Sequence, residues 1–109
     1  MAAALWGCLV LPCCKLVRDG LVGRVGSGVV FRVSGGVLEL LLRVKVVEEA
    51  LEFAAGGGVE EVADLLEALF EWMRVAGVDP GVVEEVRRRK RAERGGFGGG
   101  WVVCFDGVC

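Results

Sequence analysis

Histidine, isoleucine, threonine, asparagine, glutamine and tyrosine are all missing from this chain of 109 residues. Without histidine the commonest general base and zinc ligand is gone, so a catalyst built here works with carboxylates, lysine, arginine and metal. The narrow alphabet reads mainly as codon bias of a GC-rich genome; a thermophilic source, in which thermolabile amides are avoided, is the second reading. An excess of one charge is also lacking. Thirteen basic against 15 acidic side chains leave a net charge of −2, so no global field argues for a nucleic-acid partner. Met1 to Cys14 is apolar and carries no side-chain charge, but it is shorter than the ~20 residues that span a bilayer. It also lacks the basic segment of a signal peptide. We expect no membrane partner and a cytoplasmic protein.

The five cysteines, Cys8, Cys13, Cys14, Cys104 and Cys109, are odd in number and confined to the two ends, with no CxxC pair. That spacing argues against a structural zinc site and against a secreted disulfide framework. They read as small apolar side chains, with one disulfide between the ends as the lesser alternative. The length suits one domain.

What the chain does have is glycine, valine and leucine, 54% hydrophobic residues in all, with acids placed at helical spacing. Gly20, Gly23, Gly26 and Gly28 punctuate the segment after Lys15 and argue against a long helix there. Val29 to Val33 reads as extended or strand-like. Ser34 is an expected N-cap for a helix from about Val37 to Ala55, ended by Gly56. A second helix is expected over Val59 to Ala76, closed by Gly77. Asp79-Pro80 then caps a third that runs to about Glu93 and ends in the basic run Arg87 to Arg91. Trp101 to Val103 reads as a short extended piece in a Gly-rich tail.

Projection at about 100° per residue puts Lys45, Glu48, Glu49 and Glu52 on one arc of the first helix, which is otherwise apolar except for Glu39 and Arg43. Such a helix packs on several sides. On the second helix Glu60, Asp64, Glu67, Glu71 and Arg74 form the polar face, while Glu61 projects among Leu65, Ala68 and Trp72. A carboxylate in an apolar sector needs a partner. Residues three and four apart share a helix face, so the two helices each offer a pair of carboxylates across the Gly56-Gly57-Gly58 break. Facing acids of this kind are neutralised by a hard divalent cation such as Mg²⁺ or Mn²⁺. The bland alternative is two solvated helix faces.

Four motifs occur in order: KLVRD at Lys15 to Asp19, EExxE at Glu48 to Glu52, ExxD at Glu61 to Asp64 and ERGGF at Glu93 to Phe97. Together they resemble the MazG-like all-α nucleoside triphosphate pyrophosphohydrolases, above all their small phosphoribosyl-ATP pyrophosphohydrolase-like members. The resemblance implies an all-α bundle with three main helices per chain, completed by dimerisation, with a homo-oligomer of two or four chains. It divides the sequence into an apolar extension at 1–14, a pyrophosphohydrolase domain at 15–103 and a tail at 104–109. It implies Glu49, Glu52, Glu61 and Asp64 as Mg²⁺ ligands, with Mn²⁺ as a substitute, and Glu48 as an outer ligand or the base that orients water. Lys15, Arg18, Lys90 and Arg94 then bind substrate phosphates, arginine as a bidentate fork and lysine as a point charge.

The activity so implied is Mg²⁺-dependent cleavage between the α- and β-phosphates of a nucleotide, giving a monophosphate and pyrophosphate in a house-cleaning role. Phosphoribosyl-ATP hydrolysis in histidine synthesis is the neighbouring alternative. A non-enzymatic helical dimer that binds nucleic acid through Arg87 to Arg94 is the alternative from another class. Two departures bear on substrate identity: Gly20-Leu21-Val22 stands where such proteins start a Lys-Ile-Pro type helix, and Gly98-Gly99-Gly100 replaces their charged residues after GGF.

Overall fold

Left-handed glycines set the helix boundaries. In the computed structural model, which describes residues 15–26 and 28–107, α1 spans Gly35–Gly56, α2 Val59–Ala76 and α3 Pro80–Arg94. Gly57 (φ 66°) caps α1 and donates its N–H to the Phe53 carbonyl at 2.7 Å. Gly77 (φ 72°) closes α2 in the same way, and Val78 N–H reaches the Met73 carbonyl at 2.8 Å. Both positions demand a conformation in which a Cβ is strained, which is why glycine stands there. Asp79 caps α3 by accepting from Gly81 N–H at 2.8 Å, with Pro80 at the first helical position.

The expectation of an all-α chain with three main helices holds, and no strand occurs among the described residues. Two local expectations are corrected. Val29 to Val33 forms no strand; no other strand occurs among the described residues to complete a ladder, and an isolated strand cannot satisfy its own backbone. Ser34 occupies the N-cap of α1, but its side chain makes no capping bond, so the helix starts on the two glycines before Val37. The chain divides into two compact units, Met1–Val78 and Asp79–Cys109, where composition alone suggested one domain without an internal boundary. The N-terminal extension and Cys8, Cys13, Cys14 and Cys109 lie outside the described residues. Cys104 is disulfide-bonded, rather than merely a small apolar side chain.

In the first unit α1 and α2 form an antiparallel hairpin joined by two residues, Gly57 and Gly58. Leu42, Val44 and Ala68 are buried in it. The Trp72 indole N–H donates to Glu39 Oε1 at 2.7 Å and ties the two helices together at the end away from the glycines. Ahead of α1, Asp19–Arg24 forms a 3-10 turn, opened by Leu21 N–H on the Arg18 carbonyl at 2.9 Å. The hairpin leaves much apolar surface uncovered: Leu51, Val62, Leu66 and Phe70 are 40 to 57% exposed. Among the described residues no helix is long and apolar enough to cross a membrane.

In the second unit α3 carries no buried residue. Glu84 accepts from Arg87 at 2.6 Å and from Arg88 at 3.2 Å, and the Arg87 hydrogen bond holds its carboxyl down at about 2. Phe97, Trp101 and Phe105 that follow are largely exposed.

Candidate metal and phosphate site

The acid arc of α1 turns toward α2 at the glycine end of the hairpin. Carboxylate oxygens of Glu49, Glu52 and Asp64 lie within 4.8 Å of one another. Glu49 and Glu52 are one turn apart on α1, and Asp64 comes from the second turn of α2, so the tight hairpin is what joins them. Three like charges at that separation repel, and a hard cation with oxygen ligands is the group that relieves it. The strain registers at Glu52, whose pKa is raised above the ordinary carboxylate value. The Glu49 charge is the largest cause, followed by desolvation and a hydrogen bond to Glu49, with Lys45 and Lys15 pulling the other way.

Glu49 is the buried member, 7% exposed. Its Oε1 takes Lys45 Nζ at 3.2 Å, while its Oε2 is buried with no hydrogen-bond partner. A buried carboxylate oxygen without a donor is costly, and a bound water or ion is one way to satisfy it. The unpaired oxygen belongs to the same cluster, so the residues present fit a divalent cation.

Lys45 bridges the neighbouring acids. Its Nζ lies 3.3 Å from Glu48 Oε2 as well as 3.2 Å from Glu49 Oε1. Burial opposes the ammonium charge, but the two carboxylates outweigh it and leave the pKa above the ordinary lysine value. Glu48, the expected water-orienting base, is therefore held beside the cluster instead of in it. The Lys45 role was not read from the sequence, although its spacing of three and four residues from Glu48 and Glu49 is the signal for such pairing.

Glu61 stands apart. Its carboxylate lies over the hairpin, where a Cβ added at Gly56 or Gly58 would come within 3.1 or 2.7 Å of its oxygens. An acid in the first turn of α2 is favoured there by the unpaired amides and positive end of the helix. The trio of oxygens described above forms without it.

Arg18 reaches the site from the N-terminal side. Its Nη2 donates to Asp64 Oδ1 at 2.6 Å, across 46 residues of sequence. The flanking residues Leu16, Val17 and Leu21 wall a groove of about 590 Å³, with Leu38, Leu42 and Ala68 opposite and Glu49, Asp64, Glu67 and Arg74 among its polar lining. The polar face of α2 lines this open groove and stays solvated as its charges suggested, with Glu67 exposed and the Arg74 side chain 69% exposed. Trp72 does not line it; its N–H is engaged by Glu39, whose pKa that bond lowers, aided by Arg43. Lys15 is exposed and acts on Glu52 electrostatically. Lys90 and Arg94 are exposed on α3 in the second unit, and the cluster is built from the first unit alone.

No protein-family model, curated protein or solved structure matches this chain.

Proposed function

We propose that the first unit is a divalent-cation site for a nucleotide polyphosphate, and that the protein is a Mg²⁺-dependent nucleotide pyrophosphohydrolase resembling the MazG-like enzymes. The observation that carries the reading is the Glu49, Glu52 and Asp64 cluster with the buried, unpartnered Oε2 of Glu49. These three residues would hold the cation, with Glu61 as a fourth ligand in the four-carboxylate form of the proposal. A cation so held supplies charge neutralisation at the phosphates and a more acidic bound water.

The chain's own residues divide the remaining work. Glu48, fixed by Lys45, is placed beside the cluster to orient a water or accept its proton. Lys15 and Arg18 supply positive charge for phosphate oxygens. The aliphatic side chains of Leu16, Val17 and Leu21 line the groove beside Glu49 and Asp64 and would pack against an apolar part of the ligand. The exposed stripe of Val62, Leu66 and Phe70 favours association of at least two chains, because apolar patches of this kind are covered in stable proteins.

A panel of nucleotides incubated with and without Mg²⁺, analysed for monophosphate and pyrophosphate, tests the activity. Mg²⁺-dependent release of both products is expected. Absence of turnover, together with nucleic-acid binding lost on replacing Arg89 and Lys90, would favour the non-enzymatic alternative.

A further inference from the structure

We infer that Arg18 and the cation exchange places on Asp64, so that the site takes the metal chelate of a di- or triphosphate as a unit and binds either component alone weakly. The inference rests on the metal reading proposed above and adds to it the competition of Arg18 with the cation for Asp64 and the order of contacts that follows.

Asp64 serves two cations. One of its oxygens accepts Arg18 Nη2 at 2.6 Å, while a carboxylate oxygen of the same residue completes the trio with Glu49 and Glu52. A divalent ion arriving there meets a guanidinium already on one of its ligands. The pair is partly exposed, 54% at Arg18 and 40% at Asp64, so the ion pair is weak enough to break. Glu49, in contrast, keeps a buried oxygen free for the ion. Cation binding therefore weakens the Arg18 contact, and by linkage the Arg18 contact weakens cation binding by the same factor.

The displaced guanidinium stays at the mouth of the groove, because Leu16, Val17 and Leu21 on either side line it. Its fork matches two phosphate oxygens. A free polyphosphate would approach an acidic cluster whose Arg18 is still held by Asp64 and so could not receive that guanidinium. A free cation would have to displace Arg18 with nothing to receive it. The chelate satisfies both: the metal replaces the guanidinium on Asp64, and the phosphates receive the guanidinium.

The test compares wild type, Arg18→Gln and Arg18→Lys in two titrations, with Mn²⁺ alone and with preformed Mn²⁺–α,β-methylene adenosine triphosphate. Thermal melts without ligand check that all three fold. Removing the competing charge should tighten Mn²⁺ binding by Arg18→Gln roughly three- to tenfold, the size of a screened repulsion at short range. The same variant should bind the chelate at least about tenfold more weakly, as loss of a charge-assisted fork predicts. Arg18→Lys should keep the low Mn²⁺ affinity of wild type and lose part of the chelate affinity. A purely structural Arg18 would weaken both titrations in Arg18→Gln, and that result, or unchanged Mn²⁺ affinity, overturns the inference. Failure of wild type to bind both free Mn²⁺ and the Mn²⁺ chelate overturns the metal reading itself, and this proposal with it.

Discussion

Glu49 gives one carboxylate oxygen to Lys45 at 3.2 Å and keeps the other buried without a donor. Lys45 is thus the internal counter-ion that lets two adjacent acids, Glu48 and Glu49, sit together on a largely buried arc of α1. Their side chains are 10 and 9% exposed.

Removing that counter-ion should be expensive. Lys45→Met leaves both carboxylates with no cation and should destabilise the fold by about 3 kcal/mol, the low end for breaking a buried pair. Adding Glu49→Gln to Lys45→Met should recover a substantial part, because the most buried charge is then gone. Urea unfolding of wild type and the two variants measures this; a loss below about 1 kcal/mol for Lys45→Met would show that the pair behaves like an exposed one.

The second prediction sorts the acids. Glu49→Gln, Glu52→Gln and Asp64→Asn should each diminish the rise in melting temperature produced by Mn²⁺, since binding to the native state alone stabilises it by about 2.7 kcal/mol at 100 times Kd. Glu61→Gln should retain most of that rise, because the Glu61 carboxylate lies over Gly56 and Gly58. Loss of the response in Glu61→Gln equal to that in Glu49→Gln would instead require the four-carboxylate site.

Much of this architecture was legible in the sequence, for local reasons. Gly77 and Asp79-Pro80 fix helix ends through backbone conformation and capping, which neighbours along the chain decide; the sequence reads the end of α1 one residue early, at Gly56, whereas the left-handed cap is Gly57. Glu49, Glu52 and Asp64 were legible as facing acids, because helical spacing and a short glycine break determine which faces meet. The pairing of Arg18 with Asp64 was not, since it spans 46 residues and no periodicity encodes a contact between a loop and a helix. The same limit applies to α2: Asp64, Glu67 and Arg74 form a solvated polar face, as their spacing says, but no periodicity shows that Leu16, Val17 and Leu21 line a groove together with it.

Acid should report on the link between Glu39 and Trp72. The indole N–H and Arg43 lower the Glu39 pKa, so its contribution to stability is present above the ordinary carboxylate value of 4.5 and is lost as pH falls through the lower folded-state value. With Trp6→Phe and Trp101→Phe isolating Trp72, its emission should change with a midpoint below 4.5. A midpoint at or above that value would contradict the hydrogen bond, and Glu39→Gln should remove the transition.

Association is the last expectation, and it follows from the stripe at 62, 66 and 70. Val62, Leu66 and Phe70 recur every four residues along α2, so they form one continuous face, and they are 40, 45 and 50% exposed. Fully burying a side chain such as Leu or Phe stabilises by about 1.5 to 3 kcal/mol. Three half-covered ones therefore leave several kcal/mol to be gained by a second surface, and a second copy of the same chain supplies an identical face about a two-fold axis. Light scattering at micromolar concentration should give a mass above the 11.6 kDa of one chain. Leu66→Glu and Phe70→Glu should each shift the mass toward the monomer while leaving the Arg18 and Asp64 contact in place, because that pair lies on the groove side of α2. A wild-type protein that stays monomeric would show that this face is tolerated uncovered, and a mass unchanged by both substitutions would place the interface elsewhere.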